Sequence, residues 1–559
     1  ASIETGSQLA SQGNSITNRG ASPGVRVQAA AACVESINAY QRIPMRTGIS
    51  RCIGFALLAA ITSVKSTSAE QFEPTWESLD QRATPEWYRD AKLGIFIHWG
   101  LYSVPAWSPR GTYAEWYWHS RDGLPGKHLA AVDRGNKVRA FHNRVYGEDV
   151  SYPDFREQFT AELFDPDHWA GVIRKSGARY AVLTAKHHDG YALWPSKEAS
   201  ESFGMPWNAV DSGPHRDLVG ELAESIRAEG IKMGLYYSIW DWFNPYWPEQ
   251  DQPLDGKQIR NEAGLDKYIS KVMYPQVKEL VLNYQPALIF SDGDWWMDDE
   301  KWQTRPLLAW ILNNAPNRHE IVINDRWGMV RGKHGGYFTS EYDAGFEGEK
   351  LPWEEVRGIG KSFGFNRAEM LADYGSEKFL IFTLVDIVSR GGNFLLNVGP
   401  TADGRIPVIM EDRLARLGQW LEVNGEAIYG SRRWVRDAQW SDGQRVHYKK
   451  NDYHFGQPVL EMTIDPRPGQ AVKELFFTRK GNTLYAISPG WPKTGLLEVN
   501  GVVTSADTTV SLLGSDAILT YRQEGDNLVI ELDSVGIHDL PECGHMYTFK
   551  ITGVRQEGQ

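Results

Sequence analysis

A (β/α)8-like barrel followed by a C-terminal antiparallel β-sandwich is the fold class this 559-residue sequence predicts, and three observations carry it. Short apolar runs end repeatedly in His, Asp, Tyr or Arg, as in 93–100 (LGIFIHWG), 180–190 (YAVLTAKHHDG), 234–238 (GLYYS), 287–296 (ALIFSDGDWW) and 321–328 (IVINDRWG). A buried strand that stops and then presents such residues suits a parallel barrel, whose chemistry collects at the C-terminal strand ends. From 75 to 433 these runs alternate with amphipathic helical stretches, which argues for a parallel sheet with right-handed crossovers. Beyond 433 the pattern changes to short alternating segments between turn residues, the signature of an antiparallel sandwich.

In chain order, residues 1–69 stand apart as a leader. Segment 1–44 is polar, poor in aromatics and aperiodic, and reads as disordered. Met45 then opens a basic stretch with Arg46 and Arg51, followed by the apolar run 52–64 and a small-residue exit at 66–69. That is the pattern of a secretory signal peptide over 45–69, with Met45 as the expected start. The apolar run is too short to stay in a bilayer as a spanning helix, so export without membrane attachment is expected. A short buried helix is the competing reading of the same run. Cleavage after Ala69 would leave Cys543 alone of the three cysteines, excluding an intrachain disulfide framework and a cysteine-based metal cluster.

The barrel is expected over 70–432. Its strands are read at 93–98, 180–186, 231–237, 286–291 and 320–324, more weakly at 337–341, then near 380–386 and at 393–398. Helical stretches lie between them at 217–229, 266–284 and 305–314. Eight units over about 360 residues favour a closed barrel over an open doubly wound sheet. No glycine-rich dinucleotide fingerprint or P-loop follows any strand, so no nucleotide cofactor is expected. The last barrel helix, 411–423, carries Leu414, Leu417, Trp420 and Leu421 on one face, with Asn424-Gly425 as its stop signal. The sandwich, 433–559, shows strands at 483–488, 497–502, 517–521, 527–532 and 546–551.

The balance of 59 basic against 71 acidic residues gives −12, with no basic stretch, which excludes nucleic acid as a partner. The 22 Trp and 24 Tyr combine apolar faces with polar tips, which suits sugars and equally suits the core of a large barrel.

Among candidate chemical groups, His187, His188 and Asp189, with His98, invite a metal reading. Adjacent histidines on a strand end point to opposite sides and rarely share an ion. Hydrogen bonding to a polyhydroxylated ligand is the better reading, since neutral His offers one donor and one acceptor. Asp292 follows the run 287–290, while Asp294, Asp298 and Asp299 lie further out in the loop. Glu341 ends the weaker strand in 337–343 (YFTSEYD). Two such carboxyls suit glycoside hydrolysis, with retention at roughly 5–5.5 Å apart or inversion at roughly 6.5–9.5 Å. Each is equally at home as a helix cap or ion-pair partner.

Taken together these segments resemble the glycoside hydrolase family 29 α-L-fucosidases over nearly all of 75–555. The match runs through GIFIHWG with His98, AEWYW with Glu115 and Trp116, KHHDGYALW with His187 and His188, PHRDLV at 214–219, and GLYYS. It continues through SDGDW with Asp292, NDRWG with Arg326, HGGYFTSEYD with Glu341, SFGFNR at 362–367, GGNFLLNVGPTADGRIP at 391–407 and NGEAIYG at 424–430.

The resemblance implies a barrel plus sandwich and a retaining double displacement without cofactor or metal, acting on a fucosylated glycan. By it Asp292 matches the nucleophile and Glu341 the general acid/base, with Glu354, Glu347 and Glu349 competing for that second role in the family's most variable stretch. His98, Glu115, Trp116, His187, His188 and Arg326 would bind sugar hydroxyls, joined by one tyrosine of GLYYS, taken as Tyr237. Phe96, Phe290 and Phe363 match positions that form the nook for the fucose C5 methyl. Many members carry Trp where this chain has Phe290. A related α-L- or β-D-galactoside-like sugar is the alternative substrate, and a fucose-binding protein without catalysis is the alternative of a different class.

Overall fold

The computed structural model describes residues 71–124, 129–248, 261–343, 345–346, 352–445, 466–541 and 544–554. The expected leader 1–69, Cys543, Glu347 and Glu349 lie outside the described residues.

Eight strands form one parallel sheet: β1 (Leu93–Ile97), β2 (Tyr180–Lys186), β3 (Lys232–Ser238), β4 (Leu288–Asp292), β5 (Val322–Ile323), β6 (Phe338–Glu341), β7 (Trp353–Gly358) and β8 (Asn393–Val398). Their order is β5-β4-β3-β2-β1-β8-β7-β6, so the sheet curls round with β1 against β8. Strands covered on both faces need no polar side, and β1, β2, β4 and β8 are buried at every position. The ring has a seam between β5 and β6, where β5 is only two residues long. One backbone bond and the Asp325 side chain stitch it. Gly336 N donates to Ile323 O at 3.0 Å, and Asp325 Oδ1 accepts from Thr339 N and Oγ1 at 3.1 and 2.7 Å.

The expected strand near 380–386 is instead the middle of a helix, Glu377–Ser389, started by the Ser376 side chain accepting from Phe379 N. Ten of its residues are buried, and a helix apolar on all sides shows no periodicity to separate it from a buried strand. The missing strand is β7, whose sequence WEEVRG hides its buried character behind three charged residues. The last barrel helix also differs, running Val408–Ile428 through Asn424-Gly425 rather than stopping there.

The interior of the ring is aromatic. Phe96, Val182, Tyr236, Phe290, Val356 and Leu395 pack inward, above a plug of Tyr88, Tyr180 and Tyr337 at the strand starts. The plug fills the barrel below the strand ends at which the polar residues gather.

Two antiparallel sheets follow. One has the order β13-β16-β11-β10-β9 and the other β12-β15-β14, from β9 (Arg432–Trp440), β10 (Lys473–Lys480), β11 (Thr483–Ser488), β12 (Leu496–Val499), β13 (Thr509–Leu512), β14 (Thr520–Glu524), β15 (Asn527–Glu531) and β16 (Tyr547–Thr552). The five-stranded sheet docks on the last two barrel helices. Buried Lys473 donates to Asp386 at 2.6 Å, Thr478 Oγ1 to Ala427 O at 2.7 Å, and Trp420 Nε1 to Met546 O at 3.2 Å. Among the described residues no helix is long and apolar enough to cross a membrane.

Candidate active site

At the open end of the barrel lies a pocket lined by Phe96, His98, Glu115, His188, Asp292, Arg326 and Glu341, among others. A second cavity, under 76–85 and against β5, is lined mainly by Leu79, Leu308, Leu312, Ile321 and Ile323, with Asp80 as its single acid.

Alternation along β4 turns Leu288, Phe290 and Asp292 inward, and the chain then swings away at Gly293, whose φ is 84°. A Cβ there would sit 2.8 Å from that of Trp240, so the turn beside Asp292 has room only for glycine. Asp292 Oδ1 accepts from Arg326 Nη1 at 2.9 Å and Arg331 Nη2 at 3.2 Å, while Oδ2 accepts from Tyr236 Oη at 3.1 Å. Burial alone would raise the pKa of this carboxyl, but Arg326, His188 and Arg331 outweigh it and hold it at about 2. Asp292 is therefore an anion at neutral pH.

Arg326 comes from the loop after β5, fixed by its Nε bond to Thr339 Oγ1 at 2.9 Å. Its Nη1 touches Asp292 Oδ1 at 2.9 Å and Glu341 Oε2 at 3.2 Å. Two contacts on one nitrogen keep those two carboxylate oxygens within about 6 Å of each other. Glu341 Oε1 also accepts from Tyr113 Oη at 3.4 Å.

The histidines are buried and neutral. Asn397 spends its amide N–H on Phe363 O at 2.7 Å, so its Oδ1 accepts from His98 Nδ1 at 2.6 Å and Nε2 of His98 is left as an acceptor. Burial lowers the His98 pKa to about 3. Ser238 Oγ donates to Trp240 O and meets His188 Nδ1 at 2.6 Å, which fixes that ring in the same sense. Burial lowers His188 to about 4 and His187 well below its usual value. Nδ1 of His187 is buried with no protein partner.

The expectation that His187 and His188 diverge fails because neither lies on the strand. A register shift between Thr184 and Lys186 turns Lys186 outward onto Asp241, and the chain then folds back through Gly190 at φ 77°. Their rings lie 4.2 Å apart on the same wall. Among the described residues, no three His, Cys, Asp or Glu side chains are grouped so as to hold a metal ion.

Glu115 Oε2 accepts from Gly364 N at 2.8 Å and Ser362 Oγ at 3.0 Å, while its Oε1 is buried with no protein partner. Burial raises its pKa to about 7. Trp116, half-buried, stacks on Trp295 with ring centroids 5.8 Å apart. Phe96 and Phe290 meet at 5.2 Å, and Phe363 stacks on His98 at 4.9 Å, forming an apolar corner with Val356.

The pocket thus brings together every residue that the resemblance assigned to catalysis or sugar binding except Tyr237. That side chain points to the helical layer, donating to Gln276 Oε1 at 2.8 Å and accepting from Lys186 Nζ at 3.2 Å. Tyr236, in register with inward-facing Phe290, takes its place. Glu354 also leaves the candidate set, because it lies in the plug, where its Oε2 accepts from Tyr180 at 2.5 Å and Tyr88 at 3.1 Å. Sequence reasoning missed Tyr113, Arg331 and Val356. Tyr113 stands two residues before Glu115, so proximity to that anchor was the available signal, the same one by which Trp295, three after Asp292, reads as an aromatic wall.

Comparisons with known proteins agree with this geometry. Residues 59–426 match the family model described as Alpha-L-fucosidase, and 469–552 match the Alpha-L-fucosidase C-terminal domain. Human tissue alpha-L-fucosidase is 37% identical over 505 residues, 89% of this chain and 96% of its own length. The Dictyostelium discoideum alpha-L-fucosidase is 40% identical over 509 residues, 89% of this chain and 98% of its own. The crystal structure of Thermotoga maritima alpha-fucosidase, 35% identical, superposes with a TM-score of 0.66 over 86% of this chain and 100% of that one. That enzyme has also been solved in complex with fucose.

Proposed function

The chain belongs to the α-L-fucosidase family and is a glycoside hydrolase, and from that premise we propose that it is an exo-acting, retaining enzyme that releases terminal α-L-fucose from oligosaccharides or glycoconjugates. The observation that carries the stereochemical part is the Arg326 nitrogen shared by Asp292 and Glu341, which favours the retaining separation. In this reading Asp292 attacks C1 of the sugar. Its Oδ1 carries both guanidiniums, so Oδ2, held by one neutral hydroxyl, is the better nucleophile. Glu341 protonates the departing oxygen, leaving a covalent fucosyl-enzyme, and then takes a proton from the water that attacks C1 and frees Asp292.

Glu115, His98, His187, His188, Trp116 and Arg326 hold the sugar hydroxyls. The unpartnered Oε1 of Glu115 and Nδ1 of His187 support this, since buried polar atoms without partners call for ligand hydrogen bonds. Phe96, Phe290 and Phe363 receive the C5 methyl, whose burial is worth about 0.8 kcal/mol. Rejection of a sugar with a hydroxyl on that carbon therefore rests mainly on leaving the hydroxyl unpaired. The fucose complex of the Thermotoga maritima enzyme supports fucose as the ligand here. The chemistry is assigned to 70–432, with 433–559 as a supporting sandwich. Export through the 45–69 leader belongs to the same reading, with a mature N-terminus at Glu70.

The test is hydrolysis of 4-nitrophenyl α-L-fucoside by the chain from Glu70, beside Asp292→Ala and Glu341→Ala. The α anomer should appear first by NMR. Azide should rescue Asp292→Ala as the β-fucosyl azide and Glu341→Ala as the α-azide. First release of the β anomer would overturn the retaining mechanism, and fucose binding without cleavage of any fucoside would favour the lectin-like alternative.

A further inference from the structure

We propose that the buried Glu355–Arg357 pair of β7 is a positioning device for Glu341, an inference that rests on Glu341 being the acid/base. Glu341 is the last residue of β6, and the chain leaves it through Tyr342 at φ 49°, a left-handed conformation that aromatic residues rarely adopt. Such a backbone persists only when its surroundings hold it. Here Glu355 does the holding. Its Oε2 accepts from Ser340 Oγ, just before Glu341, and its Oε1 accepts from Asp343 N at 3.1 Å, just after. Arg357 donates from Nη2 to the Asp343 carbonyl and pairs through Nε with Glu355 Oε1 at 2.8 Å. Gly358 N donates to Tyr342 Oη at 2.9 Å and completes the bracket.

The pair has no access to substrate. In the register of β6 and β7, Glu341 lies beside Val356 and both line the pocket, so Glu355 and Arg357 project from the opposite face. Both are buried there, Glu355 being 1% exposed. Burying two charges is costly unless their geometry does something an apolar pair would not. Bracketing one residue with a single carboxylate is such a task. An apolar pair could stitch β6 to β7 through packing, but it could not bind the amide of Asp343 and the hydroxyl of Ser340 at once.

A positioning role differs from a merely stabilising one in which substrates suffer. Proton donation matters most when the leaving group is a poor one and least when it is an activated phenolate. The experiment measures kcat/KM for Glu355→Gln, Arg357→Lys and Ser340→Ala on aryl α-L-fucosides from 4-nitrophenyl to 4-methoxyphenyl, with Glu341→Ala as reference. Each clamp variant should steepen the leaving-group dependence, losing about tenfold on the 4-methoxyphenyl substrate and less than about threefold on the 4-nitrophenyl one, part of the roughly 10²–10⁴ a placed acid supplies. Ser340→Ala leaves the ion pair intact, so it decides the matter if the charge variants do not fold. Equal losses across the series, or none, overturn the inference while Glu341→Ala shows the steep dependence. A flat series for Glu341→Ala overturns the acid/base reading itself.

Discussion

Replacing either tyrosine of the 236–237 pair by phenylalanine deletes one hydroxyl, and the two deletions should register in different measurements. Tyr236 Oη donates to Asp292 Oδ2 at 3.1 Å, and its ring stacks on Phe290 at 5.9 Å. Phenylalanine keeps the ring and loses the bond. Hydrogen bonds to a charged group are worth about 1.5–3 kcal/mol, and 1.36 kcal/mol is a factor of ten. Tyr236→Phe should therefore lower kcat/KM on 4-nitrophenyl α-L-fucoside by roughly 10- to 150-fold, with little change in Tm. Tyr237 Oη instead serves Gln276 and Lys186, both fully buried. Its loss strands Gln276 Oε1 and weakens the hold on Lys186, which keeps Asp241 at 2.5 Å. A stranded buried acceptor costs about 1–3 kcal/mol, so Tyr237→Phe should lower Tm while kcat/KM stays within a few-fold. A silent Tyr236→Phe beside an inactive but fully stable Tyr237→Phe would refute the strand parity on which the whole pocket is built.

Other outcomes follow from the same geometry. Arg331→Gln removes one of two guanidiniums on Asp292, which should raise its pKa. Asp292 works as the anion, so activity is lost as pH falls through that pKa, and the acid limb of kcat/KM should move to higher pH; an unmoved limb would exclude Arg331 from the nucleophile's field. Phe363→Ala opens the apolar corner while Asn397 keeps its bond to the backbone carbonyl, so the preference for 4-nitrophenyl α-L-fucoside over the α-L-galactoside should shrink several-fold; an unchanged ratio would place the methyl elsewhere. Glu354→Gln should leave turnover within a few-fold, because neither Glu354 nor the plug tyrosines line the pocket. Burial raises the Glu354 pKa to about 7 in the fold, so its stabilising protonated form is full below the unfolded value and lost as pH rises through 7. The Tm advantage of the wild type over Glu354→Gln should accordingly narrow from pH 5 to pH 8, and a constant gap would show that Glu354 does not titrate in that window.

Much of the site was legible because a parallel barrel writes its chemistry at the points where apolar runs stop. Asp292, His98 and Arg326 could be picked out on that basis, since the runs before them are continuous and the polar residues abrupt. Tyr236 could not be separated from Tyr237 by its own strand. The alternation says only that neighbours face opposite ways, and which one faces in depends on pairing with Phe290 on β4. His187 and His188 failed the same rule for a different reason, because a register shift and a glycine turn lie between the regular strand and the pocket.

The strand that escaped altogether is the most instructive. WEEVRG looks like an exposed segment because Glu354, Glu355 and Arg357 are counted as polar surface. In the fold all three are buried, Glu354 facing the tyrosine plug and the other two gripping the chain beside Glu341. The neighbouring run near 380–386 made the opposite impression, offering Leu380, Ile381, Phe382, Leu384 and Val385 broken only by Thr383, in what turned out to be helix. Hydrophobic pattern finds strands whose only task is packing. It loses a strand whose buried charges carry a second task, and such local violations are expected where a fold is bent to a function. The failure of the pattern at β7 therefore points to the same residues as the hydrogen bonds around Ser340 and Asp343 do.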